Sequence, residues 1–169
     1  NGFSQGTFRT VVKRFFDIAC ASILIVIAFP VMILTAILII AEDGLPLLYR
    51  QERVGLNGRL FKVIKFRSMR TDAEKDGVAR WATKNDSRIT RVGRFIRKYR
   101  IDELPQIFNI LVGDMSWIGP RPEALDLALH YERHVPFYAY RHAVRPGISG
   151  WAAVHQGNVG DVDAAREKL

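Results

Sequence analysis

The chain has 169 residues, 49% of them hydrophobic and 11% aromatic, with 25 Lys and Arg against 17 Asp and Glu. That length suits one domain of ordinary size; the apolar content excludes a disordered chain, and a single cysteine, Cys20, excludes a disulfide framework or a cysteine-based zinc site. The net charge of +8 is unevenly spread, with residues 1–49 neutral, residues 50–100 at +11 and residues 101–169 at −3, which points to an anionic partner: nucleic acid, a phosphorylated substrate or a membrane surface.

Residues 18–41 form a run of 24 positions without a charge, almost all Ile, Leu, Val, Ala, Phe or Met. A helix on a soluble surface cannot be apolar on every face, and this one would reach ~36 Å, enough to cross a bilayer core. It is longer than the apolar region of a signal peptide, normally ~7–15 residues, and Glu42, Asp43 and Gly44 follow it instead of a cleavage site. Pro30 divides the run into two halves of twelve residues, because proline lacks the amide that would bond the Val26 carbonyl and pushes Phe29 from helical geometry. Two arrangements follow: a kinked spanning helix, or a re-entrant helix-break-helix whose halves each reach ~18 Å before the chain turns back. Arg9, Lys13 and Arg14 precede the run, and Arg50, Arg53 and Arg59 follow it. Basic residues on both flanks favour the re-entrant form, which puts both ends in the cytoplasm.

After Gly44 and Pro46 the pattern predicts a strand over 47–54, a turn at 55–58 containing Asn57-Gly58, and a second strand over 59–66, a hairpin signature. Residues 70–90 are polar and read as a loop with one short helix. Residues 91–100 predict an amphipathic helix, with Val92, Phe95, Ile96 and Tyr99 on one stripe and Arg91, Arg94, Arg97, Lys98 and Arg100 around the rest. Such a helix either packs its stripe on a core or lies in a membrane interface, where each basic residue near an anionic leaflet contributes ~1 kcal/mol. Further helices are expected over 105–112 and 124–140, and a glycine-rich loop over 147–161.

Asp102-Glu103-Leu104-Pro105-Gln106 follows the basic helix directly. Proline favours the first turn of a helix, so the carboxylates sit at or just before a helix N-terminus. They either cap it or serve a phosphoryl-handling site, one as nucleophile and the other holding a divalent cation. Gly119-Pro120-Arg121-Pro122-Glu123 places an arginine between two prolines, a rigid fork suited to a diphosphate or simply a structural turn. Lys65-Phe66-Arg67-Ser68-Met69 closes the hairpin with two cations. His130 and His134 lack a third metal ligand and read as solvated. Asp161-Val162-Asp163 resembles a metal-binding pair of nucleotide-sugar enzymes but opens a helix-like run, where capping suffices. No Walker lysine loop, dinucleotide glycine fingerprint or RNA-type aromatic motif is present.

Lys13-Arg14-Phe15-Phe16-Asp17, the 65–69 motif, Asp102–Gln106, Gly113-Asp114-Met115-Ser116, Gly119–Glu123 and Arg145-Pro146-Gly147-Ile148-Ser149-Gly150-Trp151 occur in that order. Together they resemble the bacterial sugar transferases, monotopic phosphoglycosyl transferases that begin glycoconjugate and exopolysaccharide assembly. The resemblance runs from about Val12 onward. It implies an α+β membrane-associated fold: a re-entrant helix-break-helix with its break near Pro30, amphipathic interfacial helices and a small β-hairpin. Residues 1–44 would be the lead and membrane segment, and residues 45–169 a catalytic domain on the cytoplasmic face of the bacterial inner membrane, continuing beyond residue 169 in a longer protein.

The implied reaction moves a sugar-1-phosphate from a UDP-sugar to a polyprenyl phosphate, typically undecaprenyl phosphate, and releases UMP. By the same resemblance Asp102 is the nucleophile that forms a phosphosugar-aspartyl intermediate, and Glu103 binds Mg²⁺. Arg121 and Arg97 hold phosphate oxygens, with Lys65 and Arg67 as further phosphate ligands. The implied partners are the UDP-sugar, the polyprenyl lipid and an anionic membrane, without nucleic acid; a homo-oligomer is compatible with all of these. Many relatives read Gly-Arg-Asn where this chain has Gln156-Gly157-Asn158, a departure that bears on the sugar. A non-catalytic basic membrane adaptor or a nucleic-acid-binding module would use the same +11 segment, but neither gives a reason for Asp102-Glu103 together with a rigid Arg121.

Overall fold

A computed structural model describes residues 6–73 and 86–156 of the chain. The Asp161-Val162-Asp163 pair, the Gly157-Asn158 departure and most of the polar 70–90 segment lie outside them. The fold is α+β, in the order α1 (Thr7–Asp43), β1 (Leu48–Val54), β2 (Leu60–Phe66), α2 (Arg91–Lys98), α3 (Gln106–Val112), β3 (Ser116–Ile118), α4 (Leu125–His134), β4 (Gly147–Ser149) and α5 (Trp151–Gln156). The chain divides into two compact units, residues 1–23, 51–63 and 106–169 in the first, and residues 24–50 and 64–105 in the second.

The helix α1 is 37 residues long and apolar enough by length and composition to cross a membrane. The expected helix-break-helix needs correcting at one point: the backbone stays helical through Pro30. Proline removes a single amide, and the turns on either side keep theirs, so a change of direction there is a kink within a helix and not a break in it. The hairpin β1–β2 forms as expected. Asn57 and Gly58 take positive φ angles of 54° and 76° in its connection, conformations that Asn and Gly adopt at least cost.

In the first unit, the Lys13–Asp17 motif docks the start of α1. Arg14 donates to the carbonyls of Ile110 (2.5 Å) and Leu111 (2.6 Å) in the last turn of α3, where carbonyls run out of helical donors; that of Ile110 also accepts from the Gly113 amide (3.1 Å). Asp17 is buried and accepts from the Ser116 hydroxyl (3.0 Å) and the Trp117 amide (3.1 Å). Lys13 donates to Ser116 and to the Ile118 carbonyl and lies 3.7 Å from Asp17. The motif therefore anchors the helix by its charges while the neighbouring Phe15 and Phe16 stay exposed.

The strands β3 and β4 pair in parallel, Ser116 opposite Gly147 and Ile118 opposite Ser149. This replaces the loop expected from residue 147 onward, as does α5. A Cβ on Gly119 would stand 2.2 Å from the Arg145 carbonyl oxygen, so the two backbones cross where only glycine fits. The helix expected over 124–140 is shorter. It ends at His134, and Val135 is extended (φ −118°, ψ 111°) because Pro136 disfavours helical geometry in the residue before it. A 3-10 helix over Tyr138–Ala143 follows, and Tyr131, Val135 and Tyr138 pack together as a buried cluster.

The second unit is organised around Ile39, Phe66 and Ile96, against which Met32, Leu47, Leu48, Val92, Ile101 and Leu104 pack. Thr90 caps α2 by accepting from the Gly93 amide (2.8 Å). A Cβ added at Gly93 would lie 1.9 Å from the Ser68 carbonyl oxygen, so α2 touches backbone at this point. Glycine to alanine inside a helix ordinarily stabilises by ~1 kcal/mol. Here Gly93→Ala is expected to do the reverse, lowering the melting temperature by about 5 °C or more through overpacking. Thermal melting of the purified protein checks this, and an unchanged or higher value would contradict the close approach.

Candidate active site

The site begins with the end of α2. Of its apolar stripe, Ile96 is 1% exposed and Val92 packs beside it, while Phe95 and Tyr99 are each 56% exposed with ring centroids 4.9 Å apart. The stripe is therefore divided, half on the core and half outward. Glu42 adds to the Thr90 cap by accepting from the Arg91 and Val92 amides (2.7 and 2.8 Å).

The helix closes at Tyr99, and Arg100 takes the left-handed conformation with φ 58°. Helices commonly end on such a residue, usually glycine, and a larger side chain there costs roughly 1 kcal/mol or more. This reversal leads into a 3-10 turn over Ile101–Glu103. Ile101 and Leu104 both point into the core cluster, so the turn is anchored at each end and carries Asp102 and Glu103 between, each 9% exposed.

The Oδ1 of Asp102 is buried and accepts no hydrogen bond from the described residues, and the Oε1 of Glu103 lies 2.7 Å from the Lys65 ammonium on β2 and 3.7 Å from Arg100. Burial raises the Asp102 pKa above its ordinary value; Lys65, Arg97 and Arg100 act against that rise and Glu103 with it. Of the residues expected from the sequence, the structure therefore brings Asp102, Glu103, Lys65 and Arg97 together. It adds Arg100, which the sequence reading left among the solvated basic residues of α2. The available signal was an arginine standing where a helix end usually has glycine, directly before the acidic pair.

Arg67 goes elsewhere. It is buried at the end of α1, donating to the carbonyls of Asp43 (2.8 Å) and Gly44 (2.7 Å) and pairing with the Asp43 carboxylate at 3.2 Å. Those bonds satisfy helix-terminal carbonyls, a structural task. Arg121 belongs to the other unit and is partly exposed. Its loop is fixed through successive carbonyls, Pro120 accepting from the Gly147 amide, Arg121 from Arg141, Pro122 from Arg53 and Glu123 from the Val54 amide. The rigidity expected from two prolines is thus reinforced by four hydrogen bonds.

The donor set fits a small hard dication. Glu103 supplies a carboxylate at this turn, and Mg²⁺ typically takes one or two carboxylates and completes its shell with water and phosphate. Among the described residues no cluster of three or more His, Cys, Asp or Glu side chains could hold an ion by itself. His130 and His134, with rings 4.4 Å apart, accordingly have no further His, Cys, Asp or Glu ligand in that set.

Comparison with known proteins gives this site its context. The family model described as bacterial sugar transferase matches residues 8–169. The chain is 51% identical over 158 residues to the UDP-N-acetylgalactosamine-undecaprenyl-phosphate N-acetylgalactosaminephosphotransferase of Aeromonas hydrophila, covering 94% of this chain and 37% of that protein. It is 44% identical over 154 residues to the UDP-glucose:undecaprenyl-phosphate glucose-1-phosphate transferase of Xanthomonas campestris pv. campestris, covering 91% and 32%. The exopolysaccharide production protein PSS of Rhizobium leguminosarum bv. phaseoli shares 44% identity over 146 residues, covering 84% and 72%. The chain spans about a third of the length of the first two relatives. It belongs to the bacterial sugar transferase family.

The raised Asp102 pKa has a consequence for stability. A carboxyl that ionises later in the folded than in the unfolded chain leaves the folded chain holding more protons, so its contribution is full below the ordinary value of 3.8 and is lost as pH rises through the folded value. Asp102→Asn removes that titration. The variant is expected to melt above the unsubstituted protein at neutral pH, with the gap closing as pH falls toward the ordinary Asp value. Melting curves across that range check the sign, and a gap independent of pH would contradict the burial argument.

Proposed function

From its membership of this family, we propose that the chain transfers a sugar-1-phosphate from a UDP-sugar to undecaprenyl phosphate and releases UMP. The relatives' names differ in the sugar and share the undecaprenyl acceptor, which supports the reaction class more strongly than any one donor. The observation that carries the reading is Asp102 itself: a buried carboxylate oxygen with no hydrogen-bond partner, among Lys65, Arg97 and Arg100. A basic adaptor or nucleic-acid-binding module gives no reason to bury that oxygen.

In the proposed mechanism an Asp102 oxygen attacks the sugar-bearing phosphorus of the UDP-sugar. The bond to the bridging oxygen breaks and its electron pair leaves with UMP, so a mixed phosphosugar-aspartyl anhydride remains. An oxygen of the lipid phosphate then attacks the same phosphorus, which expels the Asp102 carboxylate and forms the lipid diphosphate sugar. The surrounding cations favour the ionised nucleophile and offset the charge that otherwise keeps a carboxylate from an anionic diphosphate. Glu103 is the proposed Mg²⁺ ligand, a role that requires the Lys65 ammonium to yield part of its contact; when bound, the ion supplies neutralisation of the diphosphate. Arg97 and Arg121 are proposed to bind phosphate oxygens.

We further propose that α1 enters the cytoplasmic leaflet of the inner membrane and returns to the same face, the change of direction being a kink at Pro30 inside one continuous helix. Val26, Ile27, Phe29, Leu34 and Ile37 are exposed along its middle, a surface that needs an apolar phase around it. The outward Phe95 and Tyr99, with Arg91, Arg94 and Lys98 exposed beside them, suit the headgroup region.

The test is UMP release by the purified protein with undecaprenyl phosphate, Mg²⁺ and a panel including UDP-N-acetylgalactosamine and UDP-glucose. Release is expected with at least one donor and is expected to stop on adding a chelator. No release from any common UDP-sugar would contradict the proposed activity.

A further inference from the structure

The loop that carries Arg121 raises a question its sequence does not answer. Pro120 and Pro122 have no amide to donate, which leaves their carbonyls to hold them. Two of these accept from backbone amides that the sheet and hairpin already place, Gly147 to Pro120 at 2.9 Å and Val54 to Glu123 at 3.0 Å. The middle two depend on side chains: Arg141 reaches the Arg121 carbonyl at 2.8 Å, and Arg53 reaches that of Pro122 at 3.2 Å. All of these groups lie in the first unit.

Arg141 is itself tightly placed. Its side chain is 12% exposed, its guanidinium lies 4.8 Å from the centre of the Tyr138 ring, and its second nitrogen donates to the Tyr138 hydroxyl. Burial pushes that hydroxyl up to about 12, so it stays neutral and can accept. Glu123 stands 3.8 Å from the nitrogen that serves Arg121. One planar fork thus meets a hydroxyl, a carbonyl and a carboxylate at once, a geometry that a lysine cannot reproduce. Tyr138 is rigid in turn, fully buried and packed on Tyr131 at 5.2 Å.

We propose that Arg141 is a positioning residue, fixing through the Arg121 carbonyl the backbone from which the Arg121 guanidinium meets substrate phosphate, with Arg53 doing the same one residue further on. This rests on the reading of Arg121 as a phosphate ligand. An arginine on a loose proline loop would shift with its backbone, whereas one on a backbone held at four consecutive carbonyls starts from a fixed point, and misplacement by about 1 Å can cost ~100-fold in rate.

A double-mutant cycle on the full-length protein tests it, reading kcat/KM for UMP release with the better of UDP-N-acetylgalactosamine and UDP-glucose. Arg141→Met is expected to lower kcat/KM by about tenfold in the natural background and by less than about twofold when Arg121 is already Lys, because a misaimed fork matters only while the fork exists. Its effect on the melting temperature should be the same in both backgrounds. Equal losses of kcat/KM in both would assign Arg141 to general stability and overturn the proposal. Should Arg141→Met not fold, Arg53→Met carries the same cycle and must show the same dependence on Arg121. If Arg121→Lys alone leaves kcat/KM unchanged, the phosphate-ligand reading of Arg121 fails, and the proposal with it, while UMP release itself persists.

Discussion

The contact between Lys65 and Glu103, 2.7 Å long, is the interaction on which the arrangement of the candidate site depends. Two adjacent carboxylates on one short turn repel each other, and burial penalises both. A cation delivered from the neighbouring hairpin strand offsets that penalty at Glu103 and, through its field, at Asp102. The turn can then remain inside the unit, pinned by Ile101 and Leu104 in the core, with one Asp102 oxygen left without a partner. Leaving a buried acceptor unmatched costs ~1–3 kcal/mol. Together with Arg100 in the left-handed region, that concentrates local cost at the point where the chemistry is proposed, as is common where stability is traded for a reactive group.

The positive excess of residues 50–100, which the sequence presents as one block, separates into distinct tasks. Lys65, Arg97 and Arg100 surround the acidic pair; Arg67 closes the end of α1; Arg53 braces the Arg121 loop. Arg70 and Arg88 pair locally with Asp72 and Asp86. Among the described residues, Arg50, Arg59 and Lys62 face outward, as do Arg91, Arg94 and Lys98 beside Phe95 and Tyr99. A good share of the net charge therefore serves the fold.

What could be read from the sequence was local. The hairpin rests on alternation and an Asn-Gly turn, α2 on a 3.6-residue stripe and the acidic turn on the proline that follows it; each is set by neighbours within a few positions. What could not be read was non-local or conformational. Three-residue strands such as β3 and β4 carry no usable period, and their pairing joins Ser116 to Gly147. The Lys13, Arg14 and Asp17 side chains look like a charged lead to an apolar helix until Ser116 and the end of α3 are seen to receive them. Pro136 signalled the end of α4, and the apolar pair Phe137-Tyr138 drew the expected helix past it. Likewise Arg67 and Lys65 share one motif and one pattern, and only the strand's geometry sends one to a helix end and the other to Glu103.

The proposed reaction turns on a covalent bond between Asp102 and the phosphosugar. Intact mass spectrometry of the full-length protein, incubated with UDP-sugar and Mg²⁺ but no lipid acceptor, tests it most directly. A mass increase of one sugar-phosphate is expected, disappearing on addition of undecaprenyl phosphate and never forming with Asp102→Asn. An adduct retained by that variant, or none on the unsubstituted protein while it still releases UMP to the lipid, would contradict it.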